Sequence, residues 1–139
     1  MTLEQSCDQC GAPVADCVER FHALLALDHS RAEPWGSRHG LAFAVFTLQH
    51  SRDASPETVQ RCREMLHRVY VLGEDRTRVA SEFRRRGASD DVDLSKLVGD
   101  KQPPEGFAFT IVDMGDFGAE SYAANLDAWC RATLAAWSR

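Results

Sequence analysis

Apolar side chains recur along most of this chain at the three- and four-residue steps of amphipathic helices, interrupted by short polar stretches. Val18, Phe21, Leu24 and Leu25 follow Asp16, which together with Glu19 makes a capping-box pattern, so a first helix is predicted from Asp16 to near His29 and Ser30. Glu33-Pro34-Trp35-Gly36 reads as a turn. The run from Leu41 to Leu48 is apolar nearly all round. That is the pattern of a helix buried in the middle of a bundle, extending from Ser37 through His50, and Ala42 and Ala44 favour it over a buried strand. Ser55-Pro56-Glu57 opens a third helix carrying Val59, Cys62, Leu66 and Val69, with Gly73 as its stop. Glu74 to Arg86 predicts a fourth, thinly apolar and rich in arginine.

Gly87 to Gly106 reads as an acidic loop, and Phe107 to Val112 as a short strand or an extended strip over the core. The last helix is expected from about Ala119, with Asp116 as its cap and Tyr122, Leu126, Trp129 and Trp137 along one stripe. The expected architecture is mainly α: a compact helical bundle in one domain spanning 1–139, with at most a short β segment. Residues 1–17 form a Cys-bearing zinc-knuckle loop, 16–86 the helices, 87–118 a loop region and 119–138 the C-terminal helix.

Composition narrows the functional classes. A length of 139 residues suits one domain with a real core, and a formal net charge of −5 argues against a protein that lives on phosphate contacts, so no nucleic-acid partner is expected. The longest apolar run is far below the roughly 18 residues of a membrane span. MTLEQSCDQC lacks the basic start and apolar stretch of a signal peptide. Five cysteines, an odd number that includes a CxxC, point to metal or thiol chemistry in a reducing cytoplasm.

Cys7-Asp-Gln-Cys10-Gly11 carries the chemistry. Two thiolates at this spacing can hold one tetrahedral metal, and Gly11 supplies the positive φ that such a turn commonly uses. Cys17 falls in the first turn of the first helix, where the helix dipole favours thiolate. Zinc then needs a fourth ligand, or a water if the site is catalytic. His39 and His50 are the candidates. On one continuous helix they share a face but lie about 16 Å apart, so both reach one ion only if the chain bends near His39-Gly40. His50 is equally well explained as a ligand and as a histidine favoured at a helix C-terminus, whereas His39, at the helix start, is better suited to a neutral ligating or acid–base role. His22, His29 and His67 read as surface residues, and Cys62 and Cys130 as small core residues.

Cys7-x-x-Cys10-Gly11, Cys17 at a helix start, His39-x-Leu41 and Gln49-His50 together resemble a family of small uncharacterised bacterial proteins, a domain of unknown function. Ala128-Trp129-Cys130 through Ala136-Trp137-Ser138 resembles that family's closing helix, so the likeness spans nearly the whole chain. The resemblance implies that Cys7, Cys10, Cys17, His39 and His50 form one constellation. The chain departs from the pattern where the family's central helix has polar Asp and Tyr, which are apolar here, and where Ser51 replaces a proline.

Three functions compete. The first is a zinc-dependent enzyme of lyase, cyclase or hydrolase type acting on a small molecule. Cys7, Cys10 and Cys17 would hold the metal with His50 or, in its place, His39, and whichever histidine is not a ligand would act as acid–base. The second is a structural zinc protein that binds a protein partner. The third is a CxxC redox protein, ranked last because no strand precedes the motif. HExxH and the paired deaminase signature do not occur. The enzyme reading is slightly ahead, and a small-molecule ligand or a protein is the expected partner, with no membrane.

Overall fold

The helical periods of the sequence become five α-helices among the residues described by the computed structural model, which are 6–86, 103–104 and 106–138. They are α1 (Cys17–His29), α2 (His39–Gln49), α3 (Pro56–Tyr70), α4 (Arg76–Arg86) and α5 (Ala119–Trp137), with single 3-10 turns at Gly36–Arg38, Ser51–Asp53 and Ile111–Met114. Most of the expected acidic loop lies outside the described residues. Among the described residues no helix is long and apolar enough to cross a membrane.

Helix α2 lies at the centre, in contact with each of the other four. Leu41, Ala42, Ala44, Val45, Thr47, Leu48 and Gln49 are all buried, which is why its sequence is apolar nearly all round. Small alanines let neighbours approach while Leu48 and Val45 fill the space between them. The other helices present stripes to it. Cys17, Phe21, Leu24 and Asp28 line the inner face of α1, Cys62, Met65 and Leu66 that of α3, and Tyr122, Leu126, Trp129, Cys130, Thr133 and Trp137 that of α5.

The ends of α3 form as the sequence predicts. Ser55 accepts from Thr58 N at 3.2 Å, and Gly73 takes φ +72° beyond the last turn. Beyond Gly73, Arg68 joins the chain to α4 by pairing with Glu74 at 2.7 Å and Glu82 at 2.6 Å.

Three local expectations are corrected. Asp16 does not cap α1 through its side chain. Its carboxylate turns to Arg20 at 2.8 Å, one helical turn on. Phe107–Val112 is not a strand, because Thr110 and Asp113 form a reciprocal capping box that winds Ile111–Met114 into a 3-10 turn and buries Ile111 and Met114. The cap residue of α5 is Gly118, and Asp116 instead accepts from the Gly118 N–H at 3.1 Å in the preceding turn.

At the end of α2, Phe46 O and Thr47 O accept from the His50 N–H, and Leu48 O is satisfied from another helix. Trp137 Nε1 donates to Leu48 O at 3.0 Å, bringing the end of α5 against the end of α2. Gln49, 1% exposed, donates from Nε2 to Phe109 O at 2.7 Å and to Thr133 Oγ1 at 2.8 Å, fastening the segment before α5 and α5 itself to the same turn. Trp35 Nε1 gives a further tie, to Phe117 O at 2.8 Å.

Core packing against α2 should dominate stability. Leu66→Ala, at a side chain with 0% exposure, is expected to cost about 2–5 kcal/mol in urea denaturation. Val71→Ala, at a position 58% exposed, should stay within about 0.5 kcal/mol of the parent chain.

Candidate metal centre

The knuckle loop is built by its own backbone. Gly11 N donates to Cys7 O at 3.0 Å and Cys7 N to Ala12 O at 2.9 Å, with Gly11 at φ +82° closing the turn. A Cβ at Gly11 would also meet Gly106 Cα at 3.2 Å, because Phe107 N donates to Cys10 O at 3.0 Å and brings residues 106–107 alongside. On the other side the loop is tied to the exit of α2. Asp8 pairs with Arg52 at 2.9 Å, and Arg52 N donates to Gln9 Oε1 at 3.1 Å.

This arrangement brings Cys7, Cys10, Cys17 and His50 together, with one ligand atom from each lying within 4.8 Å of all the others. Cys10 Sγ and Cys17 Sγ are 3.7 Å apart. The edge of a tetrahedron with Zn–S bonds of about 2.3 Å is roughly 3.8 Å, so the pair is spaced as two thiolates on one ion would be.

His50 is oriented by two contacts, both with Phe46. Its ring stacks on Phe46 at 4.1 Å, and Phe46 stacks on Phe21 at 4.1 Å. Its Nδ1 lies 3.0 Å from Phe46 O. A carbonyl only accepts, so Nδ1 carries the proton and Nε2 keeps its lone pair. Nε2 is buried and has no hydrogen-bond partner. An orphaned acceptor beside three thiols fits a ligand position. Burial also holds the imidazole below its ordinary pKa, toward the neutral form that can ligate.

Electrostatics within the sulfur cluster differ from the helix-dipole expectation. Burial pushes the Cys17 thiol up, and the neighbouring Cys10 and Cys7 sulfurs add to that. Burial likewise raises Cys10. At Cys7 burial is outweighed by the backbone N–H groups of Cys10 and Gln9, which face the sulfur and hold it below the usual thiol range. Desolvation and like charge defeat the dipole of α1, since three clustered sulfurs cannot all ionise without a cation among them. The chemistry of the donor set therefore fits a metal ion.

Residues 5–138 match the model of a family of unknown function, DUF5946. The chain belongs to that family. No curated protein and no solved structure matches it. DUF5946 membership thus brings no activity with it, and the site is interpreted from its own geometry.

His39 is not part of the four-residue group. At the opposite end of α2 its Nδ1 meets Asp28 Oδ2 at 3.0 Å, and its ring lies 5.8 Å from that of His29. Its side chain is 44% exposed, while that of Asp28 is fully covered. The Asp28 hydrogen bond raises the His39 pKa against the opposing effect of burial, so the carboxylate overrides the neutral form expected at a helix start. His22, His29 and His67 are exposed. Cys62 and Cys130 are core thiols, each pushed up to about 12 by burial.

Sequence reasoning did not single out Asp28 or the Phe21–Phe46 stack, and it gave Gln49 no role beyond its place in the Gln49-His50 motif. Asp28 left one signal, since it falls seven residues after Phe21 on the apolar face of α1, where a carboxylate needs a partner.

The Asp28–His39 pair makes stability depend on pH. A histidine whose folded pKa is raised stabilises fully below its unfolded value of about 6.5, and the contribution fades as pH rises through the folded value. His39→Asn should therefore lower unfolding free energy more at about pH 5.5 than at about pH 8.5, measured by urea denaturation. In Asp28→Asn, an NMR titration should find the His39 pKa lowered.

Proposed function

We propose that this is a zinc-stabilised binding module in which Cys7, Cys10, Cys17 and His50 close a structural Cys3His site. The observation that carries this reading is the convergence of all four donors, with His50 Nε2 buried and otherwise unpartnered. Three sulfurs and an imidazole suit tetrahedral zinc better than oxygen-seeking cations. Zinc would supply the positive charge that lets the buried sulfurs ionise together, and so fasten the knuckle to the N-terminus of α1 and the C-terminus of α2.

A zinc enzyme acting on a small molecule is the weaker reading, because it requires one of these four positions to be open to water or substrate. If His50 is a ligand it is no longer an acid–base group, and His39 would be left alone in that role. The module reading places the protein in a reducing cytoplasm, where its five cysteines stay as thiols. Its partner is a small molecule or another protein.

Elemental analysis of untagged protein should find one zinc per chain. Cys17→Ser and His50→Ala should each lose the metal and lower Tm, and a chelator should lower the Tm of the parent chain toward theirs. Full zinc retention in His50→Ala, with Tm unchanged, would instead mean that His50 lies beside an open metal site and would restore the enzyme reading. Metal-free parent protein would overturn both.

A further inference from the structure

A second cavity lies between α2, α3 and α4, near the end of α2 that carries His39. Its volume is about 380 Å3, toward the lower end of the roughly 300–1,000 Å3 typical of small-molecule sites. Phe43, Met65 and Phe83 give it apolar walls. Phe43 is 46% exposed at the surface, an unusual placement for a large aromatic on a helix otherwise buried nearly all round.

Among the described residues, the charged groups that line this cavity share one sign. They are His39, Arg61 and Arg84, and no described carboxylate lines it. Arg84 stands close enough to His39 for its charge to oppose protonation of the ring. Behind His39, Asp28 occupies Nδ1, which leaves Nε2 as the ring nitrogen open to an occupant. Asp28, buried behind the ring, orients the imidazole and favours its protonated form, and because its charge offsets that of the ring, Arg84 brings the excess positive charge to this edge of the cavity. An apolar chamber edged by cationic groups is complementary to a molecule with an apolar body and one anionic end.

We propose that this cavity binds a small soluble monocarboxylate, with its apolar body against Phe43, Met65 and Phe83 and its carboxylate between His39 and Arg84. The site is separate from the metal centre and does not depend on what the cysteines hold. Arg84 supplies a planar fork suited to a carboxylate, and His39 adds a second donor from another helix.

The test uses the full chain as purified, with octanoate as probe and octanamide as its neutral counterpart, followed by calorimetry and by backbone amide shifts in NMR. Octanoate should bind saturably and at least about tenfold more tightly than octanamide. Shifts should concentrate at His39, Phe43, Met65, Phe83 and Arg84. Arg84→Glu should weaken octanoate by about tenfold or more, while Arg85→Glu, an equal charge change on the same helix but outside the cavity lining, should change it less than about twofold. Metal content should be the same in all variants. Equal binding of the two probes, absence of saturation at millimolar octanoate, shifts centred elsewhere, or insensitivity to Arg84→Glu would each overturn the proposal. Should Arg84→Glu fail to fold, the probe comparison and the shift map on the parent chain decide it.

Discussion

The hydrogen bond from His50 Nδ1 to the Phe46 carbonyl sets the arrangement at the C-terminus of α2, because it fixes both the place of the imidazole and its proton. The Phe46 oxygen already accepts from the His50 N–H at 3.0 Å, so one carbonyl holds the residue by backbone and by ring, and the tautomer it selects leaves Nε2 bare in the group formed with Cys7, Cys10 and Cys17. The Phe21 and Phe46 rings then restrict the imidazole to one plane. The indole of Trp137 and the amide of Gln49 work on the same turn, at Leu48 O and Phe109 O. The end of α2 is thereby tied to α5, to the segment before it and to the cysteine loop.

The two histidines that bracket α2 have opposite surroundings despite their symmetry in the sequence. His50 is half-buried with its Nε2 covered, groups with three thiols and is held toward its neutral form by desolvation. His39 is half-exposed, faces a buried carboxylate and is held toward its charged form. One helix therefore separates a soft, cation-seeking end from an end edged by positive charge. The apolar length between them isolates the two from each other.

Much of this was legible in the sequence because it rests on local rules. The helices follow from apolar spacing, α3 from Ser55-Pro56, and the knuckle from CxxC with Gly11. Cys17 and His50 were identifiable as candidates from their places at helix ends, but their meeting depends on how α1 crosses α2, which no local pattern encodes. The thiol pKa at Cys17 departs from the helix-dipole expectation for a related reason, since the dipole can be read from sequence whereas burial beside two other sulfurs cannot. The loose alternation of Phe107–Val112 suggests a short strand or an extended strip, but the Thr110-x-x-Asp113 spacing is that of a capping box and starts a 3-10 turn at Ile111. The partnership of Asp28 with His39 spans a turn of irregular chain, and only the tertiary arrangement reveals it.

The pairing of the knuckle with residues 106–107 has a consequence for the order of folding. Cys10 and Phe107 are far apart in the chain, and their backbone contact joins the loop that precedes α1 to the segment that leads into α5. Closing so long a loop adds little free-energy cost beyond a shorter one, but contacts of high sequence separation delay folding. The helical pairs among α1 to α4 can assemble from near neighbours, whereas this junction depends on a contact of high sequence separation. The cysteine loop is thus expected among the last parts to reach its final form. During that interval its thiols are exposed to whatever metal or oxidant the surroundings offer.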